Sequence, residues 1–169
     1  NGDTIDYSAE GDSVIVDLGA QTGTGTTIGN DTLVNIEIIE GTEYDDILTG
    51  STDTNTINGN GGDDLINDGD GNDTVNGGAG NDTIEGSLGD DVIDGGSGTD
   101  LLDFSSATGS VYVNLTAGSA SGAFGNDTLS NLENISGSSS ADSLYGSSGV
   151  NNITGGDGAD FIVGYMGQD

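Results

Sequence analysis

The sequence has no base of any kind. Its 169 residues include 30 Asp plus Glu and no Lys, Arg or His, giving a formal net charge of −30. Without histidine there is no Ser-His-Asp triad and no His-ligated zinc. Without lysine there is neither a Schiff base nor a P-loop. With no cationic side chain to neutralise phosphate, nucleic acid and anionic membrane are poor partners. Cysteine is absent, which removes disulfides, thiolate metal sites and cysteine catalysis. Proline and tryptophan are absent, hydrophobic residues reach only 31%, and apolar runs are too short for a membrane-spanning helix. Low hydropathy with charge of one sign is the composition of a disordered chain. No internal ion pair is open to these carboxylates, so each must find water, a backbone N–H or a cation.

What is present is 33 Gly and a nine-residue period. From Gly41 to Asp103 the chain divides into seven blocks: GTEYDDILT, GSTDTNTIN, GNGGDDLIN, DGDGNDTVN, GGAGNDTIE, GSLGDDVID and GGSGTDLLD. A second series from Gly137 reads GSSSADSLY, GSSGVNNIT, GGDGADFIV and the partial GYMGQD. Position one is Gly in ten of eleven blocks, with Asp68 the exception. Position six is Asp in nine of eleven, with Asn55 and Asn151 the exceptions. Position eight is Leu, Ile or Val in all ten complete blocks. Repeats of this kind outweigh composition as a guide to fold.

Each position has a physical reading. Six glycine-rich residues make a turn, because Gly reaches positive φ at no steric cost. Three residues with a central aliphatic make a short strand with one inward side chain. One inward residue per nine suits a flattened coil with two turns and two strands per 18 residues. The expected fold is therefore all-β, a flattened solenoid of stacked parallel coils. Position six then falls in vertical rows on the two edges. Stacked carboxylates repel, and no base can neutralise them. Aspartate oxygens and turn carbonyls are hard ligands that select Ca²⁺; Mg²⁺ fits less well because it keeps its waters. One aliphatic per nine residues offsets little ordering entropy, so metal binding is expected to supply folding free energy.

The blocks Gly77–Glu85 and Gly95–Asp103 resemble the RTX nonapeptide GGxGxDxUx without a mismatch. The resemblance implies a right-handed parallel β-roll or β-helix solenoid with calcium in its turns, the ion sitting between turns two blocks apart and held by position-six side chains and by carbonyls of positions one to four. The resemblance implies side-chain pairs Asp46 with Asp64, Asp64 with Asp82 and Asp82 with Asp100 on one edge. On the other edge it pairs Asn55 with Asp73 and Asp73 with Asp91. In the second series it pairs Asp142 with Asp160 and Asn151 with Asp169. Carbonyl ligands are implied at Gly59, Gly61, Gly77, Gly78, Ala79, Gly80, Gly95 and Ser97. About five to seven Ca²⁺ are expected. Blocks 41–49, 50–58 and 137–145 lack Gly at several turn positions, and their sites are the weakest of the set.

A longer repeat overlies the short one. Asp6-Tyr7-Ser8-Ala9 matches Asp103-Phe104-Ser105-Ser106, Val14–Leu18 matches Val111–Leu115, and Asn30–Leu33 matches Asn126–Leu129. The unit is about 96 residues. It divides the chain into a longer-coil flank (1–40), a seven-repeat roll (41–103), a second flank (104–136) and a second roll (137–169). The flanks are expected to continue the parallel stack as wider coils, with strands at 14–18, 111–115 and 33–39. Both ends read as positions inside a nonapeptide, so the chain is expected to be a slice of a longer protein.

The functional expectation is a non-enzymatic, calcium-dependent structural repeat of a large secreted or cell-surface bacterial protein, of adhesin, surface-layer or filament type. The alternative is a calcium module of a secreted protease, lipase or alginate epimerase. The RTX resemblance implies type I export, unfolded at low calcium and folding outside the cell. Self-association through the ends or through calcium-bridged acidic edges is a further expectation.

Overall fold

The computed structural model describes residues 2–122 and 124–165. Among these residues there are nineteen strands and no helix. The nonapeptide rule explains most of them. Each x-aliphatic-x triplet forms a strand, and successive triplets alternate between two sheets. In one sheet Thr56–Asn58, Thr74–Ala79 and Val92–Ser97 lie parallel, with Ile57 beside Val75 and Val75 beside Ile93. In the other, Ile47–Ser51, Leu65–Gly69, Thr83–Glu85 and Leu101–Asp103 lie parallel, with Leu48, Ile66, Ile84 and Leu102 in register. Every step is 18 residues, as a two-strand coil requires.

The core lies between the sheets. Leu48, Ile57, Ile66, Val75, Ile84, Ile93, Leu102 and Leu144 are all buried. Burying each aliphatic contributes roughly 1.5–3 kcal/mol. Ile153 is only partly buried, and Ile162, in the last described strand, is exposed.

The two flanks depart from the expected wide parallel coils. Each is an antiparallel meander. Val14–Asp17, Thr22–Gly25 and Gly29–Thr32 pair antiparallel in the second sheet. Val111–Asn114, Ser119–Gly122 and Gly125–Ser130 do the same in the first. The linker between Val14–Asp17 and Thr22–Gly25 is four residues long, whereas a parallel crossover needs a dozen or more. Only a reversal fits, and Gln21 turns it at φ 61°. The strand expected at 33–39 also differs. Strands occupy Gly29–Thr32 and Ile38–Glu40, and between them the chain rounds an edge of the roll at Asn35 (φ 56°).

The meanders join the roll at both sides. Val14–Asp17 pairs parallel with Ile47–Ser51, and Val111–Asn114 with Ser143–Tyr145. Gly125–Ser130 pairs parallel with Val92–Ser97. Seven nonapeptides separate the two meanders, and the meanders lie in opposite sheets.

Candidate metal centre

The position-six residues form the expected rows, and hydrogen bonds hold them there. Oδ1 of Asp64, Asp73, Asp82, Asp91, Asp100 and Asp160 accepts the amide of the position-six residue 18 earlier. The Asp46 amide donates to Asp64 at 2.8 Å, Asp64 to Asp82 at 2.9 Å, and Asp82 to Asp100 at 2.8 Å. On the other edge Asn55 donates to Asp73 at 2.6 Å and Asp73 to Asp91 at 2.8 Å. In the second roll Asp142 donates to Asp160 at 3.0 Å. The paired residues are thus brought together as the 18-residue step demands. Asn151 is buried in its own turn; Asp169 lies outside the described residues.

One oxygen of each ladder carboxylate is committed to this backbone row. The other is not. Oδ2 of Asp64, Asp73, Asp82 and Asp100 is buried with no hydrogen-bond donor. A buried carboxylate oxygen without a donor is costly unless a cation meets it. The glycine turns show where that cation fits. A Cβ placed on Gly59 would lie 2.2 Å from Asp64 Oδ2 and 2.3 Å from the Gly77 carbonyl. One on Gly77 would lie 2.3 Å from Asp82 Oδ2 and 2.6 Å from the Gly95 carbonyl. Carboxylate and carbonyl oxygens therefore face the same small space, which only a hydrogen leaves open. The carbonyls of Ala79 and Ser97 already accept the amides of Gly62 and Gly80 at 2.9 and 3.0 Å, stacking turn upon turn. Gly61 bridges to Ala79 in the same stack, and Gly78 and Gly80 hold positive φ there.

Burial without a counter-charge raises the carboxyl pKa values. Asp64 is pushed up to about 8, by burial first and then by Asp82 and Asp46, against the pull of the Asp46 amide. Burial likewise raises Asp73 and Asp100 to about 6. Asp82 and Asp91 are raised for the same reason.

Two site residues escape a nonapeptide scan of the sequence. Asp68 stands where other blocks have the position-one Gly. Its carboxylate is fully buried and neither oxygen has a hydrogen-bond partner. Asp68, Asp73 and Asp91 bring oxygens within 4.8 Å of one another, the one such acidic cluster among the described residues. Burial drives Asp68 up to about 7, tempered by the nearby Ser87 hydroxyl and reinforced by Asp91 and Asp73. The second is Asp127, which extends a row: Asp91 donates its amide to Asp127 Oδ1 at 3.2 Å. Its signal was present, since Gly122, Gly125, Asp127 and Leu129 keep positions one, four, six and eight of a block. The donors at these sites are all oxygen, the set that suits Ca²⁺.

The family model for the RTX calcium-binding nonapeptide repeat matches residues 40–67, 67–102 and 136–169, more than half of the chain. The chain belongs to this family. It is an RTX calcium-binding repeat protein, and the rows of free Asp oxygens lie within the matched segments. A search of curated proteins returned no match.

Proposed function

We propose that this RTX chain is a structural repeat of a large secreted or cell-surface bacterial protein, folding as calcium binds after export. It is a support, with no catalytic role of its own. The observation that carries this reading is the row of buried, donor-less oxygens on Asp64, Asp73, Asp82 and Asp100. Such a row repels itself in the metal-free chain and is neutralised by a divalent ion, so folding and calcium are coupled. In a low-calcium cytosol the chain stays open and exportable; outside, it closes into the roll. The recurrence of one meander and one roll about every 96 residues suits a stalk or filament built by repetition.

Circular dichroism tests the coupling. Millimolar Ca²⁺ should convert a coil spectrum to β, and EGTA should reverse it. A β spectrum of equal strength in EGTA would overturn the reading.

A further inference from the structure

The ten nonapeptide turns within the described residues are not alike, and the difference lies at position two. In five turns this residue is Ser or Thr, and in four of them its amide seals the position-six side chain. The amide of Thr42 donates to Asp46 Oδ2 at 2.6 Å, Ser51 to Asn55 Oδ1 at 2.7 Å, Ser138 to Asp142 Oδ2 at 2.6 Å, and Ser147 to Asn151 Oδ1 at 2.7 Å. The hydroxyl adds a second bond to the same side chain, 2.9 Å for Ser138 and 3.0 Å for Thr42. The hydroxyl oxygen also accepts the position-four amide, as from Tyr44 and Ser140 at 3.0 Å. The position-six oxygen at each of these turns is thus met by protein donors, although Asn55 Nδ2 is buried without a partner.

In the turns headed by Gly59, Asp68, Gly77, Gly95 and Gly155, position two has positive φ: Asn60 72°, Gly69 87°, Gly78 109°, Gly96 95° and Gly156 86°. That conformation swings the amide outward. The Gly69 and Gly96 amides donate to Asn67 Oδ1 and Asp94 Oδ1, both at 3.1 Å, on the strand before the turn. In the first four of these turns, Oδ2 of Asp64, Asp73, Asp82 and Asp100 is left bare. The sequence sorts the same way. Asn replaces Asp at position six only in sealed turns, where charge has no cation to meet. Turn 86–91 has Ser87, but that hydroxyl stands 3.5 Å from Asp91 Oδ2, and the Asp91 carboxylate clusters with Asp68 and Asp73 instead.

We propose that position two decides which turns take calcium: Gly or Asn at positive φ opens a turn to the ion, and an amide-capping Ser or Thr closes it. This rests on the calcium-dependent reading above and adds to it a map of occupancy. The sealed turns, 41–46, 50–55, 137–142 and 146–151, are the first two of each run, one on each edge. Each roll therefore starts on an ion-free base beside its meander, and calcium loads the turns beyond it.

The test is calcium stoichiometry of the whole chain by equilibrium dialysis, with circular dichroism to confirm folding. Asp46→Asn and Asp142→Asn copy the residue found at Asn55 and Asn151, so the sealed turns accommodate them. They should leave the number of bound ions unchanged. Asp82→Asn and Asp100→Asn should each lower it, and the double variant Ser138→Gly/Ser140→Gly should raise it by one. Loss of an ion in Asp46→Asn or Asp142→Asn would overturn the rule while leaving the calcium reading intact. A wild-type chain that binds no calcium would overturn both. If Asp82→Asn does not fold, the Asp46 and Asp142 variants decide alone.

Discussion

Oδ1 of Asp46 accepts the amide of Val14 at 2.8 Å, across 32 residues of sequence. The second unit repeats the bond, from Val111 to Asp142 Oδ1 at 2.9 Å. A carboxylate in a sealed turn thus fastens the first strand of the meander to the roll. Removing it strands buried amides at Val14 and Thr42. Asp46→Ala and Asp142→Ala should each cost about 1–3 kcal/mol with calcium saturating. Denaturant unfolding of the calcium form checks this. A midpoint equal to wild type would show that the bond holds nothing in place.

The second prediction concerns pH in the calcium-free chain. Burial lifts the folded-state pKa of Asp64 to about 8, Asp68 to about 7, and Asp73, Asp100 and Asp127 to about 6, all above the ordinary 3.8. The folded form then holds more protons than the unfolded form, and stability falls as pH rises. This contribution is complete below about pH 4 and lost progressively towards about pH 8. Metal-stripped protein should show more β signal at pH 5 than at pH 8, and calcium should abolish the difference. Equal or stronger β signal at pH 8 without metal would contradict the shifts.

Asp68→Asn should act in opposite directions with and without calcium. It removes one of three clustered charges, so the metal-free fold becomes more stable. The same loss weakens the site, moving the calcium midpoint up by roughly tenfold, the scale on which ligand charge tunes affinity. Thermal melts in EGTA and calcium titrations read the two arms separately. Shifts of the same sign would mean that Asp68 acts through packing.

The fourth prediction is a contrast within position eight. Ile84 has no exposed surface, and Ile162 is 46% exposed. Ile84→Ala should cost about 2–5 kcal/mol, as cavity-forming core changes do. Ile162→Ala should stay near about 0.5 kcal/mol, in the surface range. Comparable losses at both would place Ile162 inside a core.

The roll was legible because its determinants are local and periodic. A period of nine places Leu48, Ile57 and Ile66 inside and Asp64, Asp73 and Asp82 in rows, whatever the rest of the chain does. The meanders were not legible, because Thr22–Gly25 is a strand made only of Thr and Gly, with no apolar alternation. Its pairing comes from its neighbours. Asp127 was passed over because its block adjoins no other nonapeptide, so its motif read as part of the longer flank repeat with Asn30–Leu33. Asp68 read as a flaw in the glycine column, since only packing shows its carboxylate buried beside those of Asp73 and Asp91. Asp46 and Asp82 share one column but not one role. The hydroxyl and amide at Thr42 separate them, and that difference lies in a turn conformation rather than in the repeat.

Parity governs the larger architecture. Successive nonapeptides fall in alternate sheets, so an odd run of seven delivers the second meander to the sheet opposite the first. Adding or deleting a single nonapeptide would put both in the same sheet. The nine-residue repeat is thus also a counter, and its evenness or oddness decides which face of the roll each 96-residue unit thickens.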